Sequence, residues 1–149
     1  MIYFVDEDFR KLRVLVSELR INGFDATILR DADSAYHQLV SEKKANIDLV
    51  IIDVMLAVNP DISKSRYTRA NTDDYHKTGL LLLEDLIQSN PEIFPSRAVY
   101  LTHASNDILV QEINSSAKKF GVPFLRKKDY ETAYAFGKDI VEIIKKIND

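Results

Sequence analysis

The sequence predicts a doubly wound α/β domain, a parallel five-stranded sheet with helices on both faces. Three observations predict it. Short apolar runs alternate with amphipathic segments along the whole chain, giving five strands and five helices in strict alternation. The run Ile47–Ile52 is almost continuous in β-branched and apolar residues, as in a strand covered on both sides. The chain has 149 residues, 46% of them apolar, which suits one domain with a substantial core.

Ile2-Tyr3-Phe4-Val5 forms the first strand and stops at Asp6-Glu7-Asp8. Phe9 to Ile21 follows as a helix with Leu12, Leu15, Val16 and Leu19 at helical spacing, and Asn22-Gly23 ends it. Asp25 to Leu29 is the second strand. Residues 33–44 form a helix with Ala35, Leu39 and Val40 inward. Ile47–Ile52 is the third strand and ends at Asp53. Gly79 to Gln88 is a helix capped by Thr78, and Asn90-Pro91 and Pro95 interrupt the chain after it. Ala98 to Leu101 is the fourth strand, ending at Thr102. Asn106 to Phe120 is a helix closed by Gly121. Val122 to Leu125 is the fifth strand, followed by Arg126-Lys127-Lys128. Residues 129–147 form the last helix, with Tyr134, Ile140, Val141, Ile144 and Ile147 inward.

Composition removes several classes of function. With no cysteine, disulfides, thiol catalysis and Cys-based zinc sites are out. The net charge of −3 does not point to nucleic acid or a membrane surface. No apolar run approaches the ~20 residues of a bilayer span, and the acids after Val5 do not suit a signal peptide. A cytoplasmic protein is expected.

Ligands of such sheets bind beyond the carboxyl ends of the strands. Those ends deliver Asp6, Glu7 and Asp8, then Asp53, Thr102 and Lys127. Clustered carboxylates repel one another, and a hard cation such as Mg²⁺ relieves the repulsion while leaving room for phosphate oxygens. A carboxylate can then act as nucleophile and become an aspartyl phosphate, with the metal, an ammonium and a hydroxyl on the phosphoryl oxygens. Each residue also has a plainer reading. Asp53 can cap a turn, Asp8 the first helix, Thr102 can be a β-branched strand end, and Lys127 part of a basic turn. Of the histidines, His37 and His76 read as surface residues and His103 as a neighbour of the pocket.

Phe4-Val5-Asp6-Glu7-Asp8, Asp48 through Met55, Tyr100-Leu101-Thr102 and Phe124-Leu125-Arg126-Lys127 together resemble the four motifs of response-regulator receiver domains, in the family's order and over nearly the whole chain. The resemblance implies the flavodoxin-like strand order 2-1-3-4-5. It implies phosphorylation at Asp53, Mg²⁺ bound by Glu7 directly, by Asp6 mainly through water, by Asp53 and by the backbone carbonyl of Met55. It also implies Thr102 and Lys127 on the phosphoryl group, and Phe124 as a switch aromatic or a core residue. A histidine kinase or phosphotransfer protein would be the donor, an unknown output protein the target, and the strand 4–strand 5–helix 5 face a possible homodimer surface. Such a domain relays a signal and is not a turnover enzyme. The alternative is a pseudo-receiver that only binds or dimerises. Whether residues 1–149 stand alone or begin a longer protein is open.

Three features depart from the family pattern. A polar loop at about 57–78 adds roughly eighteen residues before Gly79, with Lys64, Arg66, Arg69, Lys77, Asp61, Asp73 and Asp74. It is either a tolerated surface insertion or a lid or docking element beside the pocket. Lys128 replaces the usual proline after the lysine, leaving open whether the Lys127–Lys128 peptide is cis. Met55 and Ala104 offer no group to orient attacking water, so slow to moderate self-dephosphorylation is expected.

Overall fold

The computed structural model describes residues 1–56 and 65–149. Five parallel strands form one sheet in the order β2-β1-β3-β4-β5, as expected. They are β1 (Ile2–Val5), β2 (Ala26–Leu29), β3 (Leu49–Ile52), β4 (Ala98–Thr102) and β5 (Phe124–Arg126). The helices are α1 (Phe9–Ile21), α2 (Ala32–Leu39), α3 (Thr78–Ser89), α4 (Asp107–Phe120) and α5 (Ala133–Asn148).

Side chains alternate across a strand, so each central strand feeds two cores at once. Tyr3, Val5, Val50, Ile52 and Tyr100 pack under α2, α3 and α4. Ile2, Phe4, Leu49, Ile51, Val99 and Leu101 pack under α1 and α5. This two-sided burial is why β1 and β3 read as unbroken apolar runs. Gly121 adopts φ +67 at the end of α4, a left-handed turn that suits a residue without Cβ.

Local chemistry moves several boundaries. Helix α2 stops at Leu39 rather than near residue 44, because the Asn90 amide donates to the carbonyls of Leu39 and Glu42, both at 3.1 Å. Helix α5 starts at Ala133, not 129. Thr132 caps it by accepting from the Ala135 N–H at 3.1 Å, after a short 3₁₀ turn at Lys127–Asp129. Phe136, Ile140 and Ile144 form its buried stripe, so Tyr134 points outward and is 68% exposed, against expectation. Thr78 does not cap α3. Lys77 holds that position, and the Thr78 hydroxyl donates to the Tyr75 carbonyl. Asp8 sits at the N-cap of α1, yet its side chain makes no capping bond. The Lys127–Lys128 peptide is trans; among the described residues only Phe94–Pro95 is cis.

The expected loop at 57–78 falls partly outside the described residues, which hold neither Asp61 nor Lys64. From Ser65 to Lys77 most side chains are exposed, but two anchor the segment to the domain. Tyr67 and Thr72 are fully buried. The Ser65 hydroxyl lies 2.8 Å from both carboxylate oxygens of Asp33. Arg66 stacks on Tyr36 of α2 at 4.1 Å and pairs with Asp85 of α3 at 3.4 Å. Lys77 pairs with Glu112 of α4 at 2.7 Å. Residues Asp73, Asp74 and Tyr75 carry φ values of +52, +55 and +66, a left-handed run costing roughly 1–2 kcal/mol per residue. The N–H of Tyr75 on the Thr72 hydroxyl, at 2.9 Å, helps hold it.

Candidate functional site

Parallel register brings Asp6, Asp53 and Thr102 to the same rim. Val5 pairs with Ile52 and Ile52 with Tyr100, so the residues just beyond these pairs emerge side by side. Asp6, Asp53 and Thr102 are all buried. Lys127 arrives from the turn after β5. Its Nζ lies 2.6 Å from Asp6 Oδ2 and 3.6 Å from Asp53 Oδ2. Asp6 also accepts from the Asp8 N–H at 2.9 Å, and Asp53 from the Met55 N–H at 3.2 Å. The Thr102 hydroxyl accepts from the Ala104 N–H at 3.1 Å, and Arg126 donates to the Ala104 carbonyl at 3.1 Å, bracing that loop.

Charge at this site is out of balance. Two buried carboxylates share one ammonium. Desolvation, followed by the Asp6 charge, pushes the Asp53 carboxyl from 3.8 up to about 7, and Lys127 only partly counters this. For Lys127, burial works against the charge, but Asp53 and Asp6 more than reverse it and hold the amine above its ordinary value. His103 lies beyond Thr102, its imidazole held below the usual value by desolvation and by Lys127.

Glu7 differs from the other acids, because its side chain is exposed at the rim. Among the described residues no three acidic, histidine or cysteine groups already converge on a metal position. The chemistry of the donors nevertheless fits a hard divalent cation. Asp6, Asp53 and the Met55 carbonyl are oxygen donors, and two buried carboxylates share the single Lys127 ammonium. Phe124 is half-buried and packs against the core under α4.

Two features of the site were not legible as contacts. Gly79 sits against the Asp53 backbone. Its N–H donates to the Val54 carbonyl at 2.8 Å, and a Cβ there would lie 2.3 Å from the Asp53 carbonyl oxygen and 2.7 Å from Val54 Cα. The glycine at the start of the helical run was the available signal. The second is a groove of about 520 Å³ beside the site, lined by Met55, His76, Lys77, His103, Ala104 and Ile108, among others. The inserted segment supplies one of its walls through Asp73, His76 and Lys77, a position beside the site that the sequence offered as one of two readings of this loop.

This geometry defines a class of protein: a parallel α/β domain with an acid–acid–lysine cluster and a threonine at one rim. No protein-family model matches the chain, and no curated protein does. Among solved structures, it is similar to a CheY-like response regulator receiver domain protein from Methanospirillum hungatei JF-1, with TM-score 0.67, 17% identity, and coverage of 99% of this chain and 94% of that one. It is also similar to the receiver domain of the Francisella response regulator 1452, with TM-score 0.65, 16% identity, and coverage of 97% and 96%. A third similar structure is a two-component response regulator from Clostridium difficile, at TM-score 0.67, 17% identity, and coverage of 99% and 98%. The chain has the fold of response-regulator receiver domains. Among the described residues no helix is long and apolar enough to cross a membrane.

Proposed function

We propose that the chain is a working receiver that takes a phosphoryl group on Asp53 and relays a signal in the cytoplasm. The observation that carries this reading is the buried Asp6–Lys127–Asp53 cluster, with its contacts of 2.6 and 3.6 Å. Asp53 attacks the phosphorus of a phosphohistidine on a kinase or phosphotransfer protein. The new bond forms to a carboxylate oxygen, and the imidazole nitrogen leaves with the old bonding pair. Lys127 neutralises charge on the transferred group, and the Thr102 hydroxyl donates to it once released from its local contact. Asp6, Glu7, Asp53 and the Met55 carbonyl would hold Mg²⁺, which supplies charge neutralisation for phosphoryl transfer.

The domain accepts one phosphoryl group and does not turn over a separate substrate. Apolar Met55 and small Ala104 leave no side chain to orient water, which favours a slow loss of the phosphoryl group. Output runs through Thr102, Phe124 and the β4–β5–α5 face, to a partner protein or a second copy. The anchored segment from Ser65 to Lys77 acts as a docking wall beside the pocket.

A binding-only module is the second reading. The favouring observation is that Lys127 lies nearer Asp6 than Asp53, as in a purely structural ion pair. Titration with beryllofluoride and Mg²⁺, followed by amide NMR, separates the two. A working receiver shifts the amides around Asp53, Thr102 and Lys127, whereas a binding-only module shows no change.

A further inference from the structure

The edge of the sheet farthest from β5 carries a second, unrelated surface. Among the described residues β2 is an edge strand, paired on one side only. The Asp25 carbonyl accepts from the Ile2 N–H at 2.7 Å and the Leu29 carbonyl from the Asp6 N–H at 3.0 Å, so both face β1. Backbone groups alternate along a strand, so those of Ala26 and Ile28 face the open side. A groove of about 400 Å³ runs between that strand and α1. Its floor includes the buried Val16 and Ala26.

Three guanidinium groups rim this groove: Arg13, Arg20 and Arg30. Arg13, Ser17 and Arg20 fall at i, i+4 and i+7, one face of α1. Arg30 stacks over the Phe9 ring at 4.0 Å, which fixes its position. Arg20 donates to the outward-facing Ala26 carbonyl at 3.3 Å. Among the described residues none of the three pairs with a carboxylate, although the chain as a whole carries a net charge of −3. The nearby Asp31 is occupied as the cap of α2, bonded to the Ser34 N–H at 2.8 Å. Unpaired positive charge beside an open strand edge is complementary to an extended, acidic chain.

We propose that this groove binds an extended acidic peptide segment of a partner protein, which adds as a sixth strand along β2. The segment's backbone bonds to Ile28 on the open edge. Every second side chain of an added strand lies over the α1 face, where carboxylates meet Arg13 and Arg20, and Arg30 takes an acid near the end of the strand. This surface is separate from the Asp53 rim and does not depend on phosphoryl transfer.

The test uses the full chain and a fluorescein-labelled peptide of alternating glutamate and valine, read by anisotropy and by amide exchange. The expected result is saturable binding, slowed exchange at the Ile28 amide, and no binding of the peptide with lysine in place of glutamate. The exposed double substitution Arg13→Glu, Arg20→Glu should weaken binding roughly tenfold, the scale of two surface ion pairs turned into repulsions, with an unchanged circular dichroism spectrum. No binding overturns the proposal, as does binding that the double variant retains. Tripolyphosphate that binds as tightly and displaces the peptide, with Ile28 exchange unchanged throughout, also overturns it and leaves a simple anion site.

Discussion

Replacing Gly79 with alanine should destabilise the domain, although the same change in an ordinary helix stabilises it. A methyl group there would lie 2.3 Å from the Asp53 carbonyl oxygen, 2.7 Å from Val54 Cα and 2.9 Å from Asp53 C, all inside the 3.0 Å that real Cβ atoms keep. Every near neighbour is backbone, so no flexible side chain can yield. Either α3 moves outward or the loop after β3 does. Overpacking of this kind costs about 1–3 kcal/mol. Alanine recovers up to about 1 kcal/mol of helix propensity, and less in a first turn. The net expectation is a loss of about 1–2 kcal/mol, which lowers Tm by roughly 2–8 °C in a domain of this size. Because the clash falls on Asp53 itself, phosphorylation by a small-molecule donor should slow as well. Thermal melts of wild type and Gly79→Ala by circular dichroism make the check. An unchanged or raised Tm would refute the claim that α3 is seated against the Asp53 backbone.

Further predictions concern the charged cluster and the inserted segment. The Asp53 pKa is raised on folding from 3.8 to about 7, so its contribution is fully present below about 4 and lost as pH rises through 7. Asp53→Asn should therefore be more stable than wild type, with the gain largest above pH 7 and absent near pH 4; urea melts across that range measure it. Lys127→Met removes the one ammonium between two buried acids and should cost about 3 kcal/mol, part of it restored by millimolar Mg²⁺; an unchanged melting temperature would contradict the pairing. Asp74→Gly relieves a left-handed residue whose ion pair with Arg69, at 3.7 Å, lies on the surface. It should stabilise by about 0.5 kcal/mol, the strain released less the added chain entropy, and chemical denaturation would show a loss if the φ values were otherwise.

The sheet was legible because its chemistry is periodic. Two-sided burial writes itself as the runs Ile2–Val5 and Leu49–Ile52, and strand ends announce themselves as Asp6, Asp53 and Thr102. The acids and the lysine converge because parallel register leaves no other place for strand ends to go. What escaped was set by contacts between distant residues. Asn90 ends α2 from across 51 positions. Thr132 delays α5, and Tyr134, two residues before the buried Phe136, falls on the opposite face of the helix. The inserted segment is polar in composition, yet one tyrosine and one threonine of it are buried, and an arginine–aromatic and a lysine–glutamate contact pin it. Asp33 and Asp85, on different helices, complete that docking, and nothing local in either helix foretells it. The exposure of Glu7 is equally a matter of side-chain placement that spacing does not encode.

The most direct measurement is intact-protein mass spectrometry after incubation with acetyl phosphate and Mg²⁺, on wild type and Asp53→Asn in parallel. The account predicts a gain of one phosphoryl group on the wild type, lost in hydroxylamine, and none on the variant. A wild type that stays unmodified, or a variant that gains the same mass, would contradict the assignment of Asp53 as the acceptor.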